Sequence, residues 1–430
     1  MEGGIMADLR ASGLGGTPFG DTANRPSSPA IGQPYHNGEL GITEIYTAAG
    51  WSTIAPVPQA PTIGTATVAG VGATIPFTYS GSVPASSYTV TSSPSGFSVT
   101  GSSSPLTISG LAPVTAYTFT VRATGVNGIG ASSSSSNSIT TGNPPPTIEA
   151  LRVAGGGGSG AAGGGAGGVI YGSSVSVSAG TLYTVTVGAG GGVGTGDVQS
   201  VGGRGGAGSN SNITGGSLSL TAAVGGGQGG IVDEAGFAGG SGGGGGGGYG
   251  AGNKAGGAPT SGQGFAGGSG VGGGYPGMAG GGGGAGGAGA NAAGDPGAGG
   301  IGTSAYSAWG LATSSGQNVS STYYYAGGGG GANFNGGNVV AAGGYGGGGS
   351  GVPYDLRTDT TNYPTRHGLA NTGGGGGGVS AGRAGAAGGS GIVIIRYSTS
   401  YDDPTSYTGT KYVSGAYKYF KFTATGSITL

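Results

Sequence analysis

Alternation of apolar and polar residues picks out strands in separate parts of the chain. Tyr117, Phe119 and Val121 fall on one parity and Thr118, Thr120 and Arg122 on the other, the period of two expected of a half-buried strand. Several such segments lie between Pro61 and Thr141, separated by Ser, Gly and Pro turns, and together they predict an antiparallel sandwich. Thr147 to Val153 reads as a strand that runs into glycine, and Gly391-Ile-Val-Ile-Ile-Arg-Tyr397 is the most strand-like heptad in the chain. Val175 to Val187 predicts a hairpin that turns near Ala179-Gly180. Tyr412 to Leu430 predicts a strand pair, with Tyr417, Tyr419 and Lys421 on one parity and Lys418, Phe420 and Phe422 on the other. Near the start, the turn signal Asn37-Gly38 and the large anchor Trp51 predict a small antiparallel β unit.

From Ala154 to Gly391 the periodicity disappears. Most of the 118 glycines sit here, in runs such as Gly242 to Gly248, Gly280 to Gly284, Gly327 to Gly331 and Gly373 to Gly378. Such runs lose more backbone entropy on ordering than any other sequence and have no side chains to bury. Disordered chains are usually charged, however, and charged residues make up only 6% of this one. One ordered state uses glycine as glycine: left-handed, threefold extended helices side by side, each pairing its N–H and C=O groups with its neighbours. The expected fold class is therefore all-β plus irregular: a small N-terminal β unit, a sandwich, then a polyglycine-II-like helix bundle on a small β base. Collagen is excluded, because glycine does not recur strictly at every third position.

Composition removes several functions. The formal net charge is −1 and no basic run occurs, so nothing draws a polyphosphate backbone and no nucleic-acid partner is expected. Cysteine is absent, which excludes disulfide frameworks and thiolate chemistry. Neither an apolar signal segment at Met1 to Arg10 nor an apolar run of membrane-spanning length occurs, so synthesis in a cytoplasm without membrane insertion is expected. Gly158-Ser-Gly160-Ala-Ala-Gly163 formally fits a dinucleotide fingerprint, but Gly164, Gly165, Gly167 and Gly168 forbid the helix that must follow. His36 and His367 stand far apart and read as solvent-facing loop residues; Asp233-Glu234 and Asp402-Asp403 read as solvated turns. No enzyme, metal site or cofactor is expected.

Two stretches carry resemblances. Leu111-Ala-Pro113-Val-Thr115-Ala-Tyr117-Thr-Phe119-Thr-Val121-Arg-Ala123, followed by Asn127-Gly128-Ile-Gly130, resembles the E–F corner tyrosine, F strand and F–G turn of a fibronectin type III domain. The usual strand B tryptophan is missing, and Ile75 or Phe77 takes its place. Further along, Ala150-Leu-Arg-Val-Ala-Gly155 to Gly158, Gly180 to Gly191, Ala326 to Gly331, Asn371 to Gly378 and Gly388 to Tyr397 occur in order. Together they resemble the glycine-rich domains of phage tail-fibre proteins, and their composition is similar to that of the polyglycine adhesins at long-tail-fibre tips. The Tyr46 to Trp51 region resembles short β modules near the N-termini of virion proteins.

These resemblances imply a plan: an N-terminal virion-docking β unit (1–56), a fibronectin type III domain (57–142), a proline linker (143–147), a glycine-rich domain (148–398) and a C-terminal hairpin packing on it (399–430). The hairpin pairs within its own chain or completes a neighbouring subunit, the latter making a homo-oligomer. The implied function is a bacteriophage structural protein, a fibre or adhesin presenting a glycine-rich tip to a host-surface glycan or protein. The alternative is a capsid-surface fibre or decoration protein without a dedicated receptor. The location is then the virion, at the tail fibre or the capsid surface, with other virion proteins as partners through Tyr46 and Trp51. The glycine-poor spacers carry the receptor candidates Tyr306, Trp309, Tyr323, Tyr324, Tyr325, Tyr354, Arg357, Tyr363, Arg366 and His367. A flat amphipathic ring offers large contact area at low entropy cost. The same rings could instead cap the glycine scaffold.

Overall fold

The computed structural model describes residues 19–37, 42–54, 56–273, 277–333, 339–352 and 364–430. The chain divides into two compact units, 1–142 and 143–430. The turn expected at Asn37-Gly38 lies outside the described residues.

The first unit opens with a four-stranded sheet of Phe19–Gly20, Pro34–Asn37, Ile42–Thr47 and Gly50–Ile54, in chain order. Tyr35 is its buried centre and donates its hydroxyl to the Asp21 carbonyl at 2.9 Å. Trp51 packs on Tyr35 and on its cross-strand partner Tyr46, with ring centroids 5.6 and 5.4 Å apart. Glu44 is buried because Arg25 meets it with two donors, at 2.6 and 2.8 Å. In the sandwich that follows, Tyr117, Phe119 and Val121 of the Ala116–Gly125 strand point into a core shared with Ile75, Phe77, Val90 and Leu111. Ile75 and Phe77 are both buried, and Tyr117 Oη accepts the Ala112 N–H at 3.2 Å, the tyrosine corner of this fold.

In the second unit the apolar segments that flank the glycine runs build two five-stranded antiparallel sheets. The first runs Val169–Ser176, Thr147–Val153, Ile392–Ser398, Tyr417–Phe422, Thr410–Ser414; the second runs Leu218–Ser219, Asn212–Gly215, Leu182–Thr186, Gly426–Thr429, Ser406–Tyr407. A core of Ile148, Val185, Ile213, Val393, Ile395, Phe420, Phe422, Ile428 and Leu430 fills the space between them. The other face of the first sheet, with Leu151, Val153, Ile392, Ile394 and Tyr419, packs on Trp309, Tyr325 and Ala326. Burial on both faces explains why Ile392 to Ile395 is a continuous apolar run rather than an alternating one. The hairpin expected over Val175 to Val187 does not form. Val169–Ser176 pairs with Thr147–Val153, and Leu182–Thr186 pairs with Asn212–Gly215 and Gly426–Thr429, so Ala179-Gly180 turns a corner between sheets.

The expected fold class needs a larger correction. No polyglycine-II-like helix bundle is seen: the regular structure is 32% strand and 4% helix, and the one α-helix among the described residues is Ser307–Thr313. The β part is not a small base but the two sheets above, in which the apolar segments Thr147–Val153, Val169–Ser176, Leu182–Thr186 and Ile392–Ser398 have all found strand partners. The glycine runs themselves belong to no helix and no strand. They are stacked laterally, with Ala154 to Gly168 wholly buried among them. Gly163, Gly164 and Gly165 donate to Gly280, Gly376 and Gly227, at 3.2, 2.8 and 2.8 Å. Ala166, Gly167 and Gly168 then donate to Gly283, Gly373 and Val224, at 2.9, 2.9 and 2.8 Å, on the same three neighbouring segments. Main-chain pairing thus replaces side-chain burial as the means of satisfying a dry interior.

The stack leaves no room for a side chain where runs touch. A Cβ on Gly375 would fall inside the van der Waals radius of the Gly164 carbonyl, and one on Gly245 would meet the carbonyls of Lys254 and Ala255 in the same way. Gly375→Ala and Gly245→Ala should each cost about 1–3 kcal/mol, the usual penalty of overpacking. Gly192→Ala is the control, since a Cβ there meets nothing within 4 Å. Chemical denaturation of the three variants tests this; equal stability at Gly375, Gly245 and Gly192 would show that the runs yield without strain.

The carboxylate pairs have structural partners. Glu234 pairs with Arg204 at 3.1 Å, and Asp233 accepts the Gly250 N–H at 2.8 Å. Asp403 bridges Lys411 and Lys418, which hold its carboxyl below the usual range.

Candidate functional site

The spacer 304–325 folds down onto the first sheet. Its short helix, Ser307–Thr313, stops at Ser314 in the left-handed region (φ 49°), and Lys421 donates to the Thr313 carbonyl at 2.8 Å, a cation at the helix C-terminus. Trp309 is 4% exposed and stands edge-on to Tyr171 and Tyr419, at 5.9 and 5.7 Å. The Arg396 guanidinium lies 4.4 Å over its ring and 4.2 Å over that of Tyr417, and pairs with Glu149 at 2.8 Å. Tyr306 packs on Tyr171 with centroids 5.4 Å apart. Tyr325 is fully buried and shares a hydrogen bond with Ser315 Oγ at 2.8 Å; burial pushes its hydroxyl pKa up to about 12. Trp309 and Tyr325 are therefore core residues that seal the outer face of the sheet. Their selection as receptor contacts is corrected, because no macromolecule reaches a ring with that burial.

The remaining candidates separate. Tyr306, Tyr323 and Tyr324 are half-buried, and Tyr324 leans on the exposed Tyr345 with centroids 5.6 Å apart. Tyr345 lines a cleft together with Gln317, Ser350, Thr365, His367 and Leu369. Gln317 Oε1 accepts the N–H groups of Gly346 and Gly347, at 2.6 and 2.8 Å, and so fixes the loop that carries the ring. Arg366 is half-buried beside the cleft. Tyr354, Arg357 and Tyr363 lie outside the described residues. On the first unit, Tyr46 and Trp51 are half-buried and form the aromatic face of the N-terminal sheet.

His367 is half-buried rather than solvent-facing, and His36 lies in the Pro34–Asn37 strand rather than in a loop. The His367 Nδ1 accepts the Ala387 N–H at 3.0 Å, and burial, followed by the neighbouring charge of Arg366, lowers its pKa from 6.5. With a folded value below the unfolded one, the contribution of this ring to stability is complete above about pH 6.5. It is lost as the pH falls through the folded value. An NMR titration of the His367 ring, assigned with His367→Gln, should give a midpoint below 6.5; a midpoint at or above 6.5 would contradict the burial argument.

Sequence reasoning missed Tyr345, Gln317 and Leu369. A signal was present: Tyr345 stands alone in Gly343-Gly-Tyr-Gly-Gly-Gly348, as do Tyr249 and Phe265 in their own glycine contexts, and all three are exposed. Where stacked runs admit no side chain, a solitary ring has to project outward.

Among the described residues no helix is long and apolar enough to cross a membrane, and no group of three or more His, Cys, Asp or Glu could hold a metal ion. No curated protein matches the chain. The fibronectin type III domain family matches residues 59–141, and the glycine-rich domain family matches residues 132–398. Both are module types that are typically non-catalytic, and the chain is accordingly a non-enzyme built from modules. Because the second match covers more than half of its length, the chain belongs to the glycine-rich domain family.

Proposed function

We propose that the chain is a structural protein of a bacteriophage particle, a fibre or adhesin that meets the host surface through its glycine-rich domain. The observation that carries this reading is the division of labour within residues 143–430. Glycine runs spend their backbone groups on one another, while rings between them, at Tyr249, Phe265 and Tyr345, are left exposed. A rigid main-chain scaffold bearing solitary exposed rings suits a surface that binds and does not react. The fibronectin type III domain serves as a spacer, and Tyr46 and Trp51 dock the N-terminal sheet on other virion proteins. The host-facing contacts are Tyr324, Tyr345, Arg366 and His367, with Tyr306 and Tyr323 at their margin. Tyr354, Arg357 and Tyr363 are retained on the sequence argument alone.

Immunogold labelling of purified particles, with an antibody to residues 143–430, tests this. Label at tail-fibre tips is the expected result. Label spread over the capsid would assign a decoration role without a dedicated receptor, and particles that carry no label would overturn the virion reading altogether.

A further inference from the structure

We infer that the cleft beside Tyr345 is a binding subsite for a neutral saccharide. The inference rests on the attachment reading and names the ligand class of one site within it. The cleft has a volume of about 460 Å³, inside the range of about 300–1,000 Å³ usual for small-molecule sites. One wall is the half-exposed ring of Tyr345, steadied by Tyr324, with Leu369 beside it. Such a wall accepts the C–H face of a pyranose, which is flat, weakly polar and uncharged.

The other groups suit hydroxyls. Among the described residues, the side-chain hydroxyls of Tyr345, Ser350 and Thr365 have no hydrogen-bond partner. Gln317 has spent its carbonyl oxygen on Gly346 and Gly347, which leaves its Nε2 to donate. Each hydroxyl both donates and accepts, the complement of a polyol and a poor match to an ion. Charge argues the same way, since among the described residues no Asp, Glu, Lys or Arg lines the cleft. The guanidinium of Arg366, between the lining residues Thr365 and His367 in sequence, is turned to His367, with Nε 3.3 Å from Nε2. A carboxylated or phosphorylated sugar would find no Lys or Arg partner among the described lining residues.

The test uses the full chain and saturation-transfer NMR with maltotriose, chitotriose and mannotriose, and 3′-sialyllactose as the anionic counterpart. At least one neutral trisaccharide should receive saturation, and Tyr345→Ala should weaken it tenfold or more. Thr365→Val, which keeps the shape and removes one hydroxyl, should weaken it several-fold. Unchanged emission of Trp309, read with both variants placed in a Trp51→Phe background, establishes that the fold is intact. No saturation from any neutral sugar, a preference for sialyllactose, or equal binding by Tyr345→Ala would overturn the inference. Fibre-tip labelling together with absent sugar binding would sink the saccharide site and leave attachment standing. Sugar binding that depends on Tyr345, in a protein absent from particles, would do the reverse.

Discussion

Deleting residues 411–430 is expected to leave the unit 143–430 unable to fold. The deletion removes Tyr417–Phe422 from the side of Ile392–Ser398, and Gly426–Thr429 from between Leu182–Thr186 and Ser406–Tyr407, so each sheet loses an interior strand. Phe420, Phe422, Ile428 and Leu430 are all but fully buried between the sheets. At about 1.5–3 kcal/mol for each large apolar side chain, their loss amounts to about 6–12 kcal/mol, comparable with the whole stability of an ordinary domain. The unpaired edge of Ile392–Ser398 would then template aggregation. Expression of the truncated chain should give insoluble protein, and a peptide of residues 411–430 added during refolding should restore part of the soluble yield. A truncated protein that is soluble and melts at the parent temperature would reduce the segment to a dispensable tail.

Trp309→Ala is expected to be the most damaging single substitution outside the glycine runs, at about 3–5 kcal/mol. The ring is the plug between the helix and the sheet, and its removal opens a cavity against Tyr419 and strips Arg396 of one of its aromatic faces. The helix itself is seven residues long and cannot persist without that contact. Only two tryptophans occur, so in a Trp51→Phe background the emission reports on position 309 alone. That emission should be blue-shifted in the folded protein. Urea denaturation showing a loss below about 1 kcal/mol for Trp309→Ala would mean that the helix is held by something else.

The strands that read most clearly in the sequence are those whose chemistry is local. The Tyr117, Phe119, Val121 face, the buried substitutes Ile75 and Phe77, and the strand character of Ile392 to Ile395 and Tyr417 to Phe422 follow from side-chain pattern. What pattern could not supply was partnership at a distance. Leu182–Thr186 takes its neighbour from Gly426–Thr429, and the nearer Val169–Ser176 belongs to the other sheet. The helix at Ser307–Thr313 was invisible because it contains glycine, lacks a side-chain cap and is stabilised by tertiary contact rather than propensity. For the same reason the sequence leaves open whether Trp309 and Tyr325 face outward or cap the scaffold. Aromatic content marked the spacer as important, but only the packing of Arg396 and Lys421 beneath it decides which rings face inward.

The way Gly164 is bonded bears on how the protein is made. Its N–H finds Gly376 and its carbonyl receives Gly329, so partners of one residue are more than a hundred and fifty positions further along the chain. Local contacts that could nucleate early are scarce, and loop-closure entropy has to be met before any run is rewarded. During synthesis the pairing of the segment from Ala154 onward therefore stays incomplete until the runs around Gly329 and Gly376 have been made. Glycine makes that delay tolerable: a nascent chain with few apolar side chains offers little for wrong partners to grip, so slow assembly carries less risk here than it would for a conventional core.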